Sequence, residues 1–324
     1  MECSLKPEGR NDNELKVGAH VILVNWNSGD QLFRAVHSIV GNSCVIDLKV
    51  TVVDNFSSDF SADFLINCKN FSLIENKLNM GFGKACNKGA EGASHEYLLF
   101  LNPDAELLSH SLDKALAFMQ DPKNATVGIC GVQLLDESGH VSRSCSRFPT
   151  PTGFVAHAIG LDRFFPKLGH FMAEWPHDTT QDVDQVIGAF FLVRRSLFEA
   201  LGGFDEQFFV YFEEVDFAYR AHKAGWRSVY LADVQAFHAG GGTSDQVKAK
   251  RLFYSLRSRL LYAFKHFHLL GALVVLLTTL FIEPISRSAL DIARRSWSSL
   301  AETWQGYGML WRWLPQWIFK GVTR

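Results

Sequence analysis

The chain has 324 residues, 47 % of them hydrophobic and 20 % charged, enough for one large domain or one domain with an appendage and too apolar for global disorder. A formal net charge of -2 excludes the basic footprint of a nucleic-acid-binding protein. The six cysteines, Cys3, Cys44, Cys68, Cys86, Cys130 and Cys145, form no C-x-x-C pair and join no Cys/His cluster of zinc spacing, which fits reduced thiols in a cytosolic setting.

Residues 1–17 are a polar, charged tail without the apolar centre of a secretory signal. From residue 18 onward strand and helix signals alternate. Residues 20–25 read as a buried strand. Leu32, Phe33, Val36, Ile39 and Val40 give residues 30–40 helical spacing, with Ser28 or Asp30 as the cap. A second strand over 50–54 ends in Asp54 and is followed by Asn55. Ser58 or Asp59 caps a predicted helix through Phe60, Phe64, Leu65 and Ile66. A short strand over 71–74, a glycine turn and a helix over 81–93 follow.

Residues 97–101 form a continuous apolar run, predicted as a strand buried on both faces and stopped by Pro103, which cannot donate to a ladder. It delivers Asp104 and Glu106 to the carboxyl edge of the sheet, Glu106 as an acid at a helix start. Another strand covers 127–132, and residues 136–185 form a long, aperiodic excursion. An apolar strand spans 186–194, Ser196 caps a short helix ending at Gly202-Gly203, and a helix over 213–224 stops before Gly225. A strand over 228–231 closes the alternation, which predicts an α/β fold with a mostly parallel sheet flanked by helices.

From about residue 246 the character changes. Lys248, Lys250, Arg251, Arg257, Arg259 and Lys265 lie on a basic helix with an apolar face. Residues 269–282 are a 14-residue apolar run, shorter than the roughly 17–25 residues of a spanning helix. Trp297, Trp304, Trp311, Trp313 and Trp317 crowd the tail among Arg294, Arg295, Arg312 and Lys320. This composition suits a bilayer interface, and also a core helix with a packed aromatic tail. The expected organisation is a tail (1–17), a main domain (18–245) and a helical, membrane-associating extension (246–324).

Four segments carry chemistry. Asp54 and Asn55 at a strand end offer the directional groups that read a base edge, although the same residues serve an ordinary strand-to-helix turn. Around Asn79, Gly81, Gly83 and Asn87 the backbone can approach a ligand, but the run lacks the Ser/Thr of a phosphate loop and the third glycine of a dinucleotide fingerprint. Asp104 after Asn102-Pro103 is a hard oxygen ligand suited to Mg²⁺ or Mn²⁺. Glu213, Glu214 and Asp216 open a helix, where the macrodipole favours them and where one can act as a general base. His238, before a glycine-rich loop, can complete a metal site or serve the structure alone.

Together, the segments 21–27, 53–59, 79–89, 100–106, 188–194, 202–214 and 238–244 resemble the family 2 glycosyltransferases of the GT-A fold, over about residues 18–265. The nearest subgroup is the rhamnosyltransferase-like one that builds bacterial surface polysaccharides. The resemblance implies an inverting enzyme with a nucleotide-sugar donor (dTDP-rhamnose, or a UDP- or GDP-sugar) and a divalent metal. It also implies a glycan or lipid-linked acceptor and work at the inner face of the cell membrane. By the same resemblance Asp104 and His238 hold the metal, and Asn102, Asp104 and Arg257 serve the diphosphate. Asp54 contacts the nucleobase with Asn25 and Asn55 beside it, and Asn79, Gly81 and Asn87 border the nucleoside. Glu214 becomes the base, with Glu213 next; the family usually has Glu-Asp there, and this chain has Glu-Glu. The alternatives are a nucleotide-sugar-binding protein without catalysis and a nucleotidyltransferase, whose basic phosphate loop is missing from residues 25–29.

Overall fold

The structure, a computed structural model, describes residues 18–41, 47–66, 68, 71–240 and 248–323. The tail over 1–17, Cys3, Cys44, the end of the glycine-rich loop (241–244) and the expected boundary at 245/246 lie outside the described residues.

Alternation within the apolar runs builds the sheet. In β1 (Gly18–Asn25), Val21 and Leu23 enter one core while Ile22 and Val24 enter the other. α1 (Asp30–Gly41) returns the chain to β2 (Asp47–Asp54), and β3 (Phe71–Glu75) is the edge strand. After α2 (Phe82–Ala90), β4 (Tyr97–Leu101) sends Tyr97, Leu99 and Leu101 to the first core and Leu98 and Phe100 to the second. Such strands read as unbroken apolar runs because both faces are covered.

The chain continues through β5 (Ala105–Leu107), α3 (Ser111–Gln120), β6 (Val127–Leu135), β7 (Val141–Ser142), β8 (Cys145–Ser146) and α4 (Pro151–Ala158). It then forms β9 (Gln181–Val183), β10 (Gln185–Val186), β11 (Phe190–Arg194), α5 (Arg195–Ala200), α6 (Glu213–Lys223) and β12 (Arg227–His238). The main sheet has the order β3-β2-β1-β4-β11-β6-β12-β5. β11 runs against both β4 and β6, and β5 against β12; the other strands on this path run in one direction. The carboxyl ends of β1, β2, β4 and β12 therefore share one edge, which gathers Asn25, Asp54, Asn102 and His238.

Several sequence expectations change. The helix expected through Phe60–Ile66 is one 3-10 turn, Asp63–Leu65. Ser57, Asp59 and Ser61 instead bond across to Asn25, Asn27 and Gly29, and Phe56 and Phe60 take positive φ (70° and 58°), which ends helical propagation. The strand expected over 186–194 is divided: β10 pairs with β8, Ile187 N donates to Ser144 O, and only β11 joins the main sheet. Ser196 lies inside α5 rather than capping it. Glu106 does not start a helix; it sits in β5 opposite Phe237 and pairs with Arg34 at 3.1 Å, while α3 begins at Ser111.

The C-terminal helices are α7 (Lys248–His266), α8 (Leu269–Leu277), α9 (Glu283–Ala293) and α10 (Trp297–Lys320). A π-helical turn, Thr278–Ile282, joins α8 to α9, so the apolar run does not stop at residue 282. Leu269–Ala293 is a 25-residue helical stretch, long and apolar enough to cross a membrane by length and composition; its most apolar window has a mean hydropathy of 2.1 and is 33 % buried. It continues past Glu283 because that carboxylate, 2 % exposed, is enclosed by Arg259 and Arg287 (2.7 Å). These helices share a third core with Phe154, Phe208 and Val215, which brings them against the start of α6.

Removing one partner of an enclosed ion pair strands the others. Glu283→Gln is expected to lower unfolding free energy by about 3–5 kcal/mol, read from a urea denaturation curve.

Candidate active site

The site begins at two adjacent strand ends. Asn25 and Asp54 are register partners in β1 and β2, and Asn25 Nδ2 lies 2.7 Å from Asp54 Oδ1, 2.8 Å from Ser61 Oγ and 3.1 Å from Ser57 Oγ. Ser57 N donates to Asp54 Oδ2 at 3.0 Å. Asp54 is thus held in a fixed orientation by Asn25 and by Ser57 N, and Asn25 is in turn fixed by Ser57 and by Ser61, which the sequence did not mark.

Asn55 is buried and organises the loop before α2. Its Oδ1 accepts from Asn76 Nδ2 (3.1 Å) and Met80 N (3.0 Å), and its Nδ2 reaches Asn79 Oδ1 (2.9 Å). Asn79 Oδ1 also accepts from Gly81 N at 3.0 Å. Gly81 has φ +84°, and a Cβ there would lie 2.9 Å from Phe209 Cα and against Phe209 O, which accepts from Phe82 N at 2.7 Å. Only glycine fits both the backbone and the space. Asn87 turns away from this loop: its amide pairs with both Phe204 N (2.9 Å) and Phe204 O (2.8 Å), bracing the turn after Gly203.

Asn102 and Asp104 stand at the turn after β4, where Asn102 N donates to Ala189 O and Ala105 N to Asn102 O. His238, the last residue of β12, lies opposite Ala105, and its Nε2 is 3.4 Å from Asp104 Oδ1. Ala239 N donates to Asp104 O at 3.0 Å, clamping the two segments together. Strand pairing thus unites a carboxylate and an imidazole 134 positions apart (238 − 104). This donor set suits Mg²⁺ or Mn²⁺ with anionic oxygens completing the shell. Among the described residues no group of three His, Cys, Asp or Glu is placed to hold a metal by itself.

The three acids of α6 have different fates. Asp216 is fully buried and meets Arg220 Nε (2.7 Å), Lys265 Nζ (2.6 Å) and His266 Nε2 (2.7 Å). Burial alone would raise its carboxyl, but the His266 hydrogen bond, Arg220 and Lys265 bring it below the usual range. Glu213 is 4 % exposed and packs beside Gly83, and one carboxylate oxygen of Glu213 and one of Glu214 are buried without a hydrogen-bond partner. Burial pushes both carboxyls up, and Glu214 adds like charge to Glu213. Tyr211 and Phe212, just before them, hold consecutive left-handed conformations (φ 67° and 72°). Such backbone carries about 1–3 kcal/mol of strain per residue and concentrates at functional sites.

Arg257 is 3 % exposed, with its guanidinium 5.6 Å from the Phe209 ring, 5.1 Å from Phe253 and 5.0 Å from Tyr254. It supports Phe209, the residue that abuts Gly81. Cys86 lies near both glutamates, and burial followed by their charge pushes its thiol far up, so it is no nucleophile. Arg220 is an i,i+4 neighbour of Asp216 that the sequence reading passed over, whereas Lys265 and His266 come from α7, and a distant ion pair leaves no local pattern.

The profile described as Glycosyl transferase family 2 matches residues 20–202, more than half of the chain. The sequence is similar to the N-acetylglucosaminyl-diphospho-decaprenol L-rhamnosyltransferase of Mycobacterium tuberculosis, 28 % identical over 250 residues that cover 72 % of this chain and 79 % of the relative. It is also similar to rhamnosyltransferase WbbL of Escherichia coli, 29 % identical over 172 residues, with 52 % and 62 % covered. In fold it is similar to the Pyrobaculum calidifontis mannosyltransferase PcManGT, whose structure was solved with GDP-Man and Mn²⁺: TM-score 0.54, 19 % identity, 97 % of this chain and 91 % of that chain. A second structure of like fold is S. aureus TarS 1-349, with TM-score 0.52, 16 % identity and coverage of 94 % and 82 %.

A glutamate with a raised folded-state pKa is neutral in both states below the unfolded pKa, and it costs stability progressively as pH rises from the unfolded pKa to the folded one. Glu213→Gln is therefore expected to be more stable than wild type at pH 8 and equal to it at pH 4, measured by denaturant titration at each pH. Gly81→Ala should be destabilised at both.

Proposed function

The chain belongs to glycosyl transferase family 2, and on that premise we propose that it moves rhamnose from a nucleoside-diphosphate donor to a hydroxyl of a lipid-linked glycan during cell-surface polysaccharide synthesis. The rhamnosyltransferases it is similar to support the sugar and the setting. The catalytic unit is residues 18–245, and residues 246–324 hold it to the inner face of the membrane.

The observation that carries this reading is the Glu213–Glu214 pair: two enclosed carboxylates with unsatisfied oxygens, next to the loop that Gly81 and Phe209 lock together. Asp216, the third acid of the same helix, by contrast meets three basic side chains. An enclosed carboxylate of raised pKa is suited to take a proton near neutral pH. We assign that role to Glu214, acting on the acceptor hydroxyl, with Glu213 beside it. As the hydroxyl attacks the anomeric carbon, the diphosphate leaves on the opposite face, and the product is inverted.

Asp104 and His238 would hold a divalent metal together with the donor diphosphate. When bound, such a metal supplies Lewis-acid stabilisation of the leaving phosphate charge. Asn102 contributes no charge, so Asp104 is the one anionic ligand on that turn. Asn25 and Asp54 orient the base. Asn55, Asn79 and Gly81 set the nucleoside loop, Asn87 braces it from behind, and Arg257 acts through Phe209.

Glu214→Gln is expected to bind dTDP with Mn²⁺ as wild type does and to lose transfer by about 10²–10⁴-fold. Retained turnover in Glu214→Gln with loss in Glu213→Gln would move the base one residue earlier. Asp104→Ala should lose Mn²⁺-dependent release of nucleoside diphosphate; a wild-type rate would remove it from the site.

A further inference from the structure

Outside the active site, two separate segments among the described residues expose large apolar side chains. One is the connection after α4, where Phe164 is 81 % exposed, Phe165 58 %, Leu168 48 % and Phe171 48 %. The other is the solvent side of the π turn and α9, where Phe281 is 62 % and Ile285 68 % exposed.

The two segments are fastened together. Ser286 Oγ donates to Ala158 O at 2.5 Å, at the point where α4 ends and the loop begins. At the other end of α4, a Cβ on Gly271 would lie 2.9 Å from Pro151 Cγ, so α8 and α4 touch closely. The loop therefore departs from α4 beside the residues that flank Ser286. Within it, two short 3-10 turns, Leu161–Arg163 and Pro166–Leu168, and a His157–Asp162 contact of 2.7 Å fix its path.

We propose that residues 159–171 form a second membrane-inserting element, which with α8 and α9 makes one surface that docks on an anionic lipid bilayer. This deepens the membrane-surface reading of the C-terminal helices and rests on it. The charges select the occupant. Arg163 and Lys167 are exposed between the aromatic residues, and Arg294 and Arg295 are exposed where α9 ends. The acids closest in sequence to the loop residues are engaged, Asp162 by His157 and Glu174 by Arg147. Aromatic residues set among exposed cations match the boundary between acyl chains and anionic headgroups. Four large apolar side chains exposed within eight residues, on a segment fastened to a second exposed apolar segment, exceed the scatter of single apolar residues on an ordinary surface.

The placement has a consequence for the acceptor. A cavity of about 120 Å³ beneath the loop is lined by Arg147, Lys167, His170 and Phe154. The Phe154 ring contacts that of Phe212, the residue before Glu213, with centroids 6.2 Å apart. The lipid-facing loop thus lies on the base side of the active site, where a lipid-linked hydroxyl must arrive.

The test is co-sedimentation with vesicles of phosphatidylcholine, with and without phosphatidylglycerol. Phe164→Ser/Phe165→Ser alters exposed side chains only, and its thermal midpoint and its response to dTDP with Mn²⁺ should equal those of wild type. Its partitioning onto phosphatidylglycerol vesicles should fall by about tenfold or more. Arg163→Glu/Lys167→Glu should lose the preference for phosphatidylglycerol while keeping residual binding. If Phe281→Ser/Ile285→Ser abolishes partitioning while the loop variants keep it, the C-terminal anchor stands and the loop proposal falls. If no variant changes partitioning, both fall. A wild-type dimer in light scattering that the Phe164→Ser/Phe165→Ser variant converts to monomer, with vesicle binding unchanged, would assign the face to a second copy and overturn the proposal.

Discussion

Asp216 is a fully buried carboxylate held by Arg220 from its own helix and by Lys265 and His266 from α7. Arg220 also donates to Leu201 O and Gly203 O, and Lys265 reaches Asp205 Oδ2 at 2.5 Å. One anion thereby joins the helix carrying the glutamates, the turn before it and the first C-terminal helix. Desolvating so many charges is unfavourable unless every partner is in place, so the arrangement defines a single geometry more than it adds stability. The aim of Glu213 and Glu214 depends on that geometry.

A second constraint is steric. Gly81 admits the Phe209 backbone so closely that no side chain fits, and Asn87 grips Phe204 on the same connection. The loop of the donor side and the turn leading to the acids are therefore one rigid unit. Strain at Tyr211 and Phe212 persists because α6 is fixed from behind by Asp216 and the preceding segment from the front by Gly81. Glu213 and Glu214 destabilise the fold in their ionised state, and the surrounding packing compensates.

The active-site segments were legible in the sequence to different depths. Asp54 and Asp104 announced themselves because each follows an apolar run, and a strand end at a sheet edge is where such folds bind ligands; His238 stood out only as a histidine before glycines, and the strand expected to end at Leu231 runs on to it. The pairing of Asp104 with His238 came from the family resemblance and not from local spacing, because their 3.4 Å approach depends on β12 reaching back to β5. The resemblance sets Asn87 at the border of the nucleoside, and its amide pairs with the Phe204 backbone, because an amide's two groups pair as readily with a backbone as with a nucleoside. The missed helix at Phe60–Ile66 has a similar origin. Propensity favoured it, but Asn25 and Gly29 drew the Ser and Asp side chains into cross-strand bonds.

By itself the sequence determined the alternating elements, the doubly covered strands, the acids at their ends and the apolar C-terminal helices. Each of these is written in spacing along the chain, where period and residue type act locally. The tertiary structure decided which acid is neutralised and which is left without a counter-ion. Glu213, Glu214 and Asp216 lie within one turn of one helix, and Arg220 from that helix, joined by Lys265 and His266 from α7, separates the structural anion from the two candidate bases. A carboxylate's chemistry is set by burial and by the charges around it, and those come from residues about fifty positions away.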